Sequence, residues 1–189
     1  MRRFILACAS LLACASASVG GVTKATAAGQ SSQLHETARA RAAAIRWLGG
    51  QVRAYQLATW RWERLMGVPR TPTEGRALAE MSIPDVQNAV TLWKNRAHRE
   101  RALAEHPPHL RQFLCIHHYE ATWTDAGAPY YGGLQMDLGF QHTYAPWLLR
   151  TKGTADHWTP LEQIWTAEKA VVSRGFWPWP NTGRMCGVL

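Results

Sequence analysis

Cys115-Ile116-His117-His118-Tyr119-Glu120-Ala121-Thr122-Trp123 and, after a few turn-forming residues, Tyr130-Tyr131-Gly132-Gly133-Leu134-Gln135-Met136 form the stretch on which the reading of this chain turns. Just upstream, Leu110, Phe113, Leu114 and His117 recur at helical spacing. Phe113, Ile116 or His117, and Glu120 share a face, so the spacing predicts a helix that carries Glu120 into apolar surroundings at its end. A carboxyl group moved out of water prefers its neutral form. A neutral carboxylic acid can give a proton to a leaving oxygen. The plainer alternative is a solvated glutamate at a helix end. The adjacent glycines allow a close backbone approach, which predicts a short hairpin around residues 130–136.

Downstream, the segment from Asp137 is expected to become helical toward residues 144–149 and to close at Lys152-Gly153. Thr159-Pro160-Leu161-Glu162 is the strongest helix start in the chain, with Thr as N-cap, Pro at the first position and Glu at the third. Leu161, Ile164, Trp165, Val171 and Val172 are expected on its buried side, and Arg174-Gly175 ends it. Trp177-Pro178-Trp179-Pro180 resists regular helix and is expected to run as a loop toward Cys186.

Upstream, residues 28–33 are polar and are expected to be disordered. Residues 34–48 favour helix, Gly49-Gly50 interrupts it, and Val52, Tyr55, Trp62 and Leu65 mark a second amphipathic helix ended by Gly67 and Pro69. Thr71-Pro72-Thr73-Glu74 resembles a further helix start, and Ser82-Ile83-Pro84-Asp85 another. Val86, Val90, Trp93 and Ala97 line the apolar face of the latter helix, which His106-Pro107-Pro108 stops. Trp60, Trp62 and Trp93 are expected in the core of this helical region, the alternative being a surface that meets a partner or a membrane.

Arg2 and Arg3 precede a short apolar run, followed by Ala25-Thr26-Ala27, which reads as an export signal over residues 1–27. Leu11-Leu12-Ala13-Cys14 offers an alternative, a lipid anchor at Cys14. Nothing later is long and apolar enough to span a membrane. Cleavage near Ala27 leaves Cys115 and Cys186, and an isolated pair in an exported protein is most simply a disulfide. The alternative, a metal site, needs more ligands at definite spacing, and no H-E-x-x-H or paired C-x-x-C is present. The formal charge of +8 falls to +5 once Arg2, Arg3 and Lys24 are removed, which favours anionic polymers such as a bacterial wall. Arginine and lysine are not clustered among aromatics as in a nucleic-acid footprint, so nucleic acid is not expected as a partner. A Ser/His/Asp order, a phosphate-binding loop and a nucleotide motif are all missing from the sequence.

Glu120, the nearby Trp123 and the run from Tyr130 to Gln135 together resemble the core of the resuscitation-promoting factor family, secreted wall enzymes related to lytic transglycosylases. Leu161-Glu162-Gln163-Ile164 with Ala167-Glu168, then Gly175, the Trp-Pro pairs and Cys186-Gly187, resemble the family's closing helix and tail. The resemblance covers roughly residues 109–189. It departs at Tyr119, where the family has Cys, and in lacking the Gly-Gly-Asn that follows the family's Glu. It implies a mainly α fold: a small lysozyme-like domain over 109–189 with a short β-hairpin, preceded by a helical extension over 28–108. It implies cleavage of the β-1,4 bond after N-acetylmuramic acid, without a cofactor. Glu120 is the expected proton donor, and Trp123, Tyr131, Gln135 and Gln163 are candidate sugar contacts. Asp125 and Asp137 are the local candidates for the second carboxylate that ordinary glycosidases use. If neither serves, the glutamate acts alone and the sugar's own hydroxyl closes an anhydro ring. The expected partners are peptidoglycan strands and a second wall hydrolase, and the expected location is outside the cell. The competing readings are an inactive wall-binding module and a secreted helical interaction protein.

Overall fold

The structure, a computed structural model, describes residues 25–189 apart from 74 and 76. Residues 1–24 of the export signal expected over residues 1–27, with Cys8 and Cys14, lie outside the described residues, as does Glu74 of the expected helix start. The described residues are mainly helical, with a two-stranded antiparallel sheet among them. It divides into two units, Met1–Arg41 and Ala42–Leu189. The described part of the first, residues 25–41, is helical.

Helix α1 runs over Ala25–Met66, so residues 28–33 are helical rather than disordered, and Gly49-Gly50 does not interrupt it. Two glycines cost a helix about 1–2 kcal/mol together. Here Leu48 and Val52 bury on either side of them, and a Cβ at Gly49 would lie 3.2 Å from the Leu78 side chain, so the missing side chain makes room for a neighbour. Thr71 does not start a helix either. Its N–H and hydroxyl both donate to the carboxylate of Glu63, which takes the groups an N-cap would use. A single 3-10 turn follows at Leu78–Glu80. Helix α2, Ile83–Ala104, starts as expected, with the Ser82 hydroxyl accepting from the Asp85 N–H. Val86, Trp93 and Ala97 are buried along it. Trp60 meets Trp93 edge to face at 6.0 Å, and these residues with Leu48 and Val52 form one hydrophobic cluster.

A second cluster fills the region downstream. Helix α3, Leu110–Glu120, buries Phe113 and Ile116. Strands β1, Tyr130–Tyr131, and β2, Met136–Asp137, pair antiparallel in the expected hairpin. Helix α4, Leu138–Tyr144, begins earlier than expected because the Asp137 carboxylate accepts from the Phe140 N–H and caps it. The expected single helix is split: Ala145, preceding a proline, sits at φ −146°, and α5 runs over Pro146–Lys152.

Helix α6, Pro160–Arg174, has the full capping box at Thr159 and Glu162. It is buried nearly all round, so polar residues lie inside as well as Ile164 and Trp165. Each finds a partner: Thr166 donates to the Glu162 carbonyl, Glu168 accepts from His109, and Trp165 Nε1 donates to the Ala104 carbonyl of α2. Burial pushes the Glu162 carboxyl up, but the Lys152 ammonium and the Thr159 N–H more than offset this and hold it below its ordinary value. Val172, expected inside, is exposed one step round the helix from half-buried Val171. The tail is not all loop: Pro180 takes the first position of a short helix α7, Pro180–Met185, where its missing N–H costs nothing. Cys115 and Cys186 are bonded to each other, tying α3 to the end of α7.

Candidate functional site

Glu120 is the last residue of α3, and the backbone turns extended at Ala121. The side chain is half-buried, not enclosed by apolar groups as the sequence suggests. The Thr182 hydroxyl of α7 donates to its Oε1 at 2.7 Å. That contact follows from the disulfide. Thr182 stands one helical turn before Cys186, and Cys115 stands about one turn before Glu120, so the bridge brings the two turns together.

His117, His118, Glu120, Ala121, Thr122 and Trp123 line an open depression of about 480 Å³. Trp123 stacks on His117 with ring centroids 3.9 Å apart and planes 22° from parallel, so one face of the indole is already covered. His117 Nδ1 lies 3.3 Å from the Gly133 carbonyl oxygen, which accepts only if the proton is on that nitrogen. A Cβ at Gly133 would fall 2.5 Å from that nitrogen and 2.7 Å from Trp123 Cε3. Glycine there is what lets the hairpin backbone press against the stacked pair.

Of the expected sugar contacts, Glu120 and Trp123 line the depression, while Tyr131, Gln135 and Gln163 do not. Tyr131 is half-buried against the hydrophobic cluster. Gln135, at φ +49°, donates from Nε2 to Asp125 Oδ2 at 2.7 Å and to the Gly132 carbonyl at 3.1 Å, which braces the turn. Gln163 is fully buried, and its place as a sugar contact is corrected on that ground. Its Oε1 accepts from the Gly133 N–H at 2.8 Å, and its Nε2 donates to the Trp123 and Ala155 carbonyls, each at 2.8 Å. One amide thus joins the segment after α3, the hairpin and the turn before α6. Gly132 leaves room for it with φ +74°, since a Cβ there would collide with the Gln163 carboxamide.

The candidate second carboxylates are both in use locally. Asp125 accepts from Gln135 and from the Gly127 N–H, and Asp137 caps α4. Neither lines the depression. Sequence reasoning missed Thr182, His117 and the second buried amide, Gln141. Gln141 donates to the Met136 carbonyl at 2.7 Å and accepts from the Ala155 N–H at 3.0 Å. Only Thr182 had a usable signal, the spacing from Cys186. Among the described residues, no three His, Cys, Asp or Glu side chains gather as metal ligands, and no helix is long and apolar enough to cross a membrane. No protein-family model matches the chain, and no curated protein matches it at a significant level.

Proposed function

We propose that this chain is an exported peptidoglycan-cleaving enzyme with a lysozyme-like domain similar to the resuscitation-promoting factors, acting at the β-1,4 bond after N-acetylmuramic acid. The observation that carries the reading is Glu120 at the end of α3, at the edge of an open depression beside Trp123 and oriented by the Thr182 hydroxyl. A carboxyl group held in one direction at a surface groove suits proton donation to a leaving oxygen. The half-buried indole of Trp123 and the polar rim of His118 and Thr122 suit a sugar's C–H face and hydroxyls. Because Asp125 and Asp137 are engaged in local hydrogen bonds, the reading favours a single-carboxylate route, with the muramic hydroxyl closing an anhydro ring. The disulfide is in keeping with an oxidising location.

The same engagement of both aspartates favours a second reading, a wall-binding module without activity. One experiment separates them. Glu120→Gln keeps the size of the side chain and removes the acid. Loss of muropeptide release from purified walls, with wall binding retained, is the expected result, and the parent protein should release ends that resist borohydride reduction. Release at the parent rate by Glu120→Gln refutes the catalytic role. Binding without release by the parent protein selects the second reading.

A further inference from the structure

A pocket of about 520 Å³ lies away from Glu120, between the C-terminal part of α1 and α5. Trp60 and Trp147 form two of its walls, and Arg61, Arg64 and Arg70 contribute its charge. We propose that this pocket binds a phosphoryl oxyanion, a phosphate mono- or diester, on those three guanidinium groups. The proposal stands independently of wall cleavage.

No carboxylate lines the pocket. None of the three arginines forms an ion pair among the described residues. Glu63, next in the chain to Arg64, turns its carboxylate to the N–H and hydroxyl of Thr71. The arginines are held by aromatic rings instead. Arg70 Cζ lies 3.5 Å from the Trp60 ring centre, and Arg64 Cζ lies 4.5 Å from that of Trp147. Stacking fixes the guanidinium plane and leaves its N–H edge free to donate. Arg61 lies 5.4 Å from the Trp62 ring.

A carboxylate is satisfied by one guanidinium fork. A phosphoryl group carries up to two charges and three acceptor oxygens, so it can engage several forks at once. Leu57 and Val68 complete the walls and offer apolar surface to the carbon stem of an ester. Lys169 of α6 lies near enough to Arg64 to feel its charge. Burial, and then the Arg64 charge, push its pKa down to about 8.

The test titrates the full chain with inorganic phosphate and with glycerol 1-phosphate, at constant ionic strength, by calorimetry and tryptophan fluorescence. Saturable binding is expected. The Arg64→Gln/Arg70→Gln double variant should lose roughly ten- to a hundred-fold in affinity per arginine. Arg70→Lys, which keeps the charge but not the fork, should fall between it and the parent. Arg61 is exposed and its replacement spares both wall stacks, so Arg61→Gln should weaken binding even if the double variant folds poorly. No saturable binding, equal competition by chloride, or unchanged affinity in Arg61→Gln and the double variant would each overturn the proposal. Vesicles identify the source. Arginine-dependent retention on phosphatidylglycerol but not phosphatidylcholine assigns a lipid headgroup, and ester binding without retention assigns a soluble or polymer-borne phosphate.

Discussion

Replacing Gln163 by Leu removes one amide and keeps the side-chain volume nearly constant, so the loss measures polar satisfaction and not a cavity. In the native chain Oε1 accepts from the Gly133 N–H, and Nε2 donates to the carbonyls of Trp123, Ala155 and, at 3.2 Å, Trp158. Trp123 is half-buried, and water can reach its freed carbonyl. Gly133 and Trp158 are buried, and the N–H of the first and the C=O of the second would be left without the amide, whereas the Ala155 carbonyl keeps the Trp158 N–H. At about 1–3 kcal/mol for each buried orphan, the expected cost is about 2–6 kcal/mol. For a chain of this length that is a fall in Tm of about 5–20 °C. Thermal and urea unfolding followed by circular dichroism give the number. A loss below about 1 kcal/mol, the range of an ordinary surface change, would refute the claim that this amide holds the hairpin to the segment after α3. Gln163→Glu sharpens the test. Its charged form has no donor and is buried, whereas its protonated form regains one. Its deficit should therefore be larger near neutral pH than in mild acid.

Reducing the bond between Cys115 and Cys186, 71 residues apart in sequence, should lower stability by about 4 kcal/mol in the chain-entropy model; two labelled thiols in denatured, unreduced protein would contradict the bond. Gly133→Ala must displace the stacked His117 and Trp123 rings, so it should cost about 1–3 kcal/mol and change the near-ultraviolet circular dichroism signal of the tryptophans, read beside a denaturant melt. Lys169 binds its proton less tightly folded, at about 8, than unfolded, at 10.5, so the folded chain is penalised below pH 8 and gains stability as pH rises from about 8 to 10.5. Lys169→Met should be more stable in neutral solution and should lose that rise, as urea midpoints across the pH range would record.

Elements whose ends are written locally were legible. Ser82 and Thr159 are N-caps because their side chains reach an N–H three residues on, and such a signal needs nothing from the rest of the chain. The glycine pair of the hairpin was readable for the same reason. Three of the misreadings involve a partner elsewhere in the chain. Gly49-Gly50 looked like a break because Leu78, which occupies the space they leave, is far along the sequence. Thr71 looked like a cap because the pull of Glu63 on its hydroxyl is a tertiary contact. Gln163 looked like a sugar contact because an amide in a helix gives no sign of which way it faces, and its partners lie 5 to 40 residues away.

The site itself divides along the same line. The place of Glu120 at the end of the α3 face was readable from helix periodicity, since position on a face is a local property, whereas its role as a proton donor rested on the resemblance. Its orientation depends on Thr182, 62 residues away, and no periodicity carries that. The cysteine pairing does carry it, once treated as a distance restraint as well as a stabilising link. A bridge between two helices forces the residues one turn from each cysteine into reach of one another, and a hydroxyl one turn before Cys186 then has a carboxylate to meet. Asp125 and Asp137 show the opposite case, carboxylates spoken for by local hydrogen bonds. Each is nearer to Glu120 in sequence than Thr182 is, yet each closes a short hydrogen-bonded ring within its own turn. Nearness in sequence offered a turn aspartate its own backbone first, and a second carboxylate for this depression would have had to come, as Thr182 does, from a remote segment.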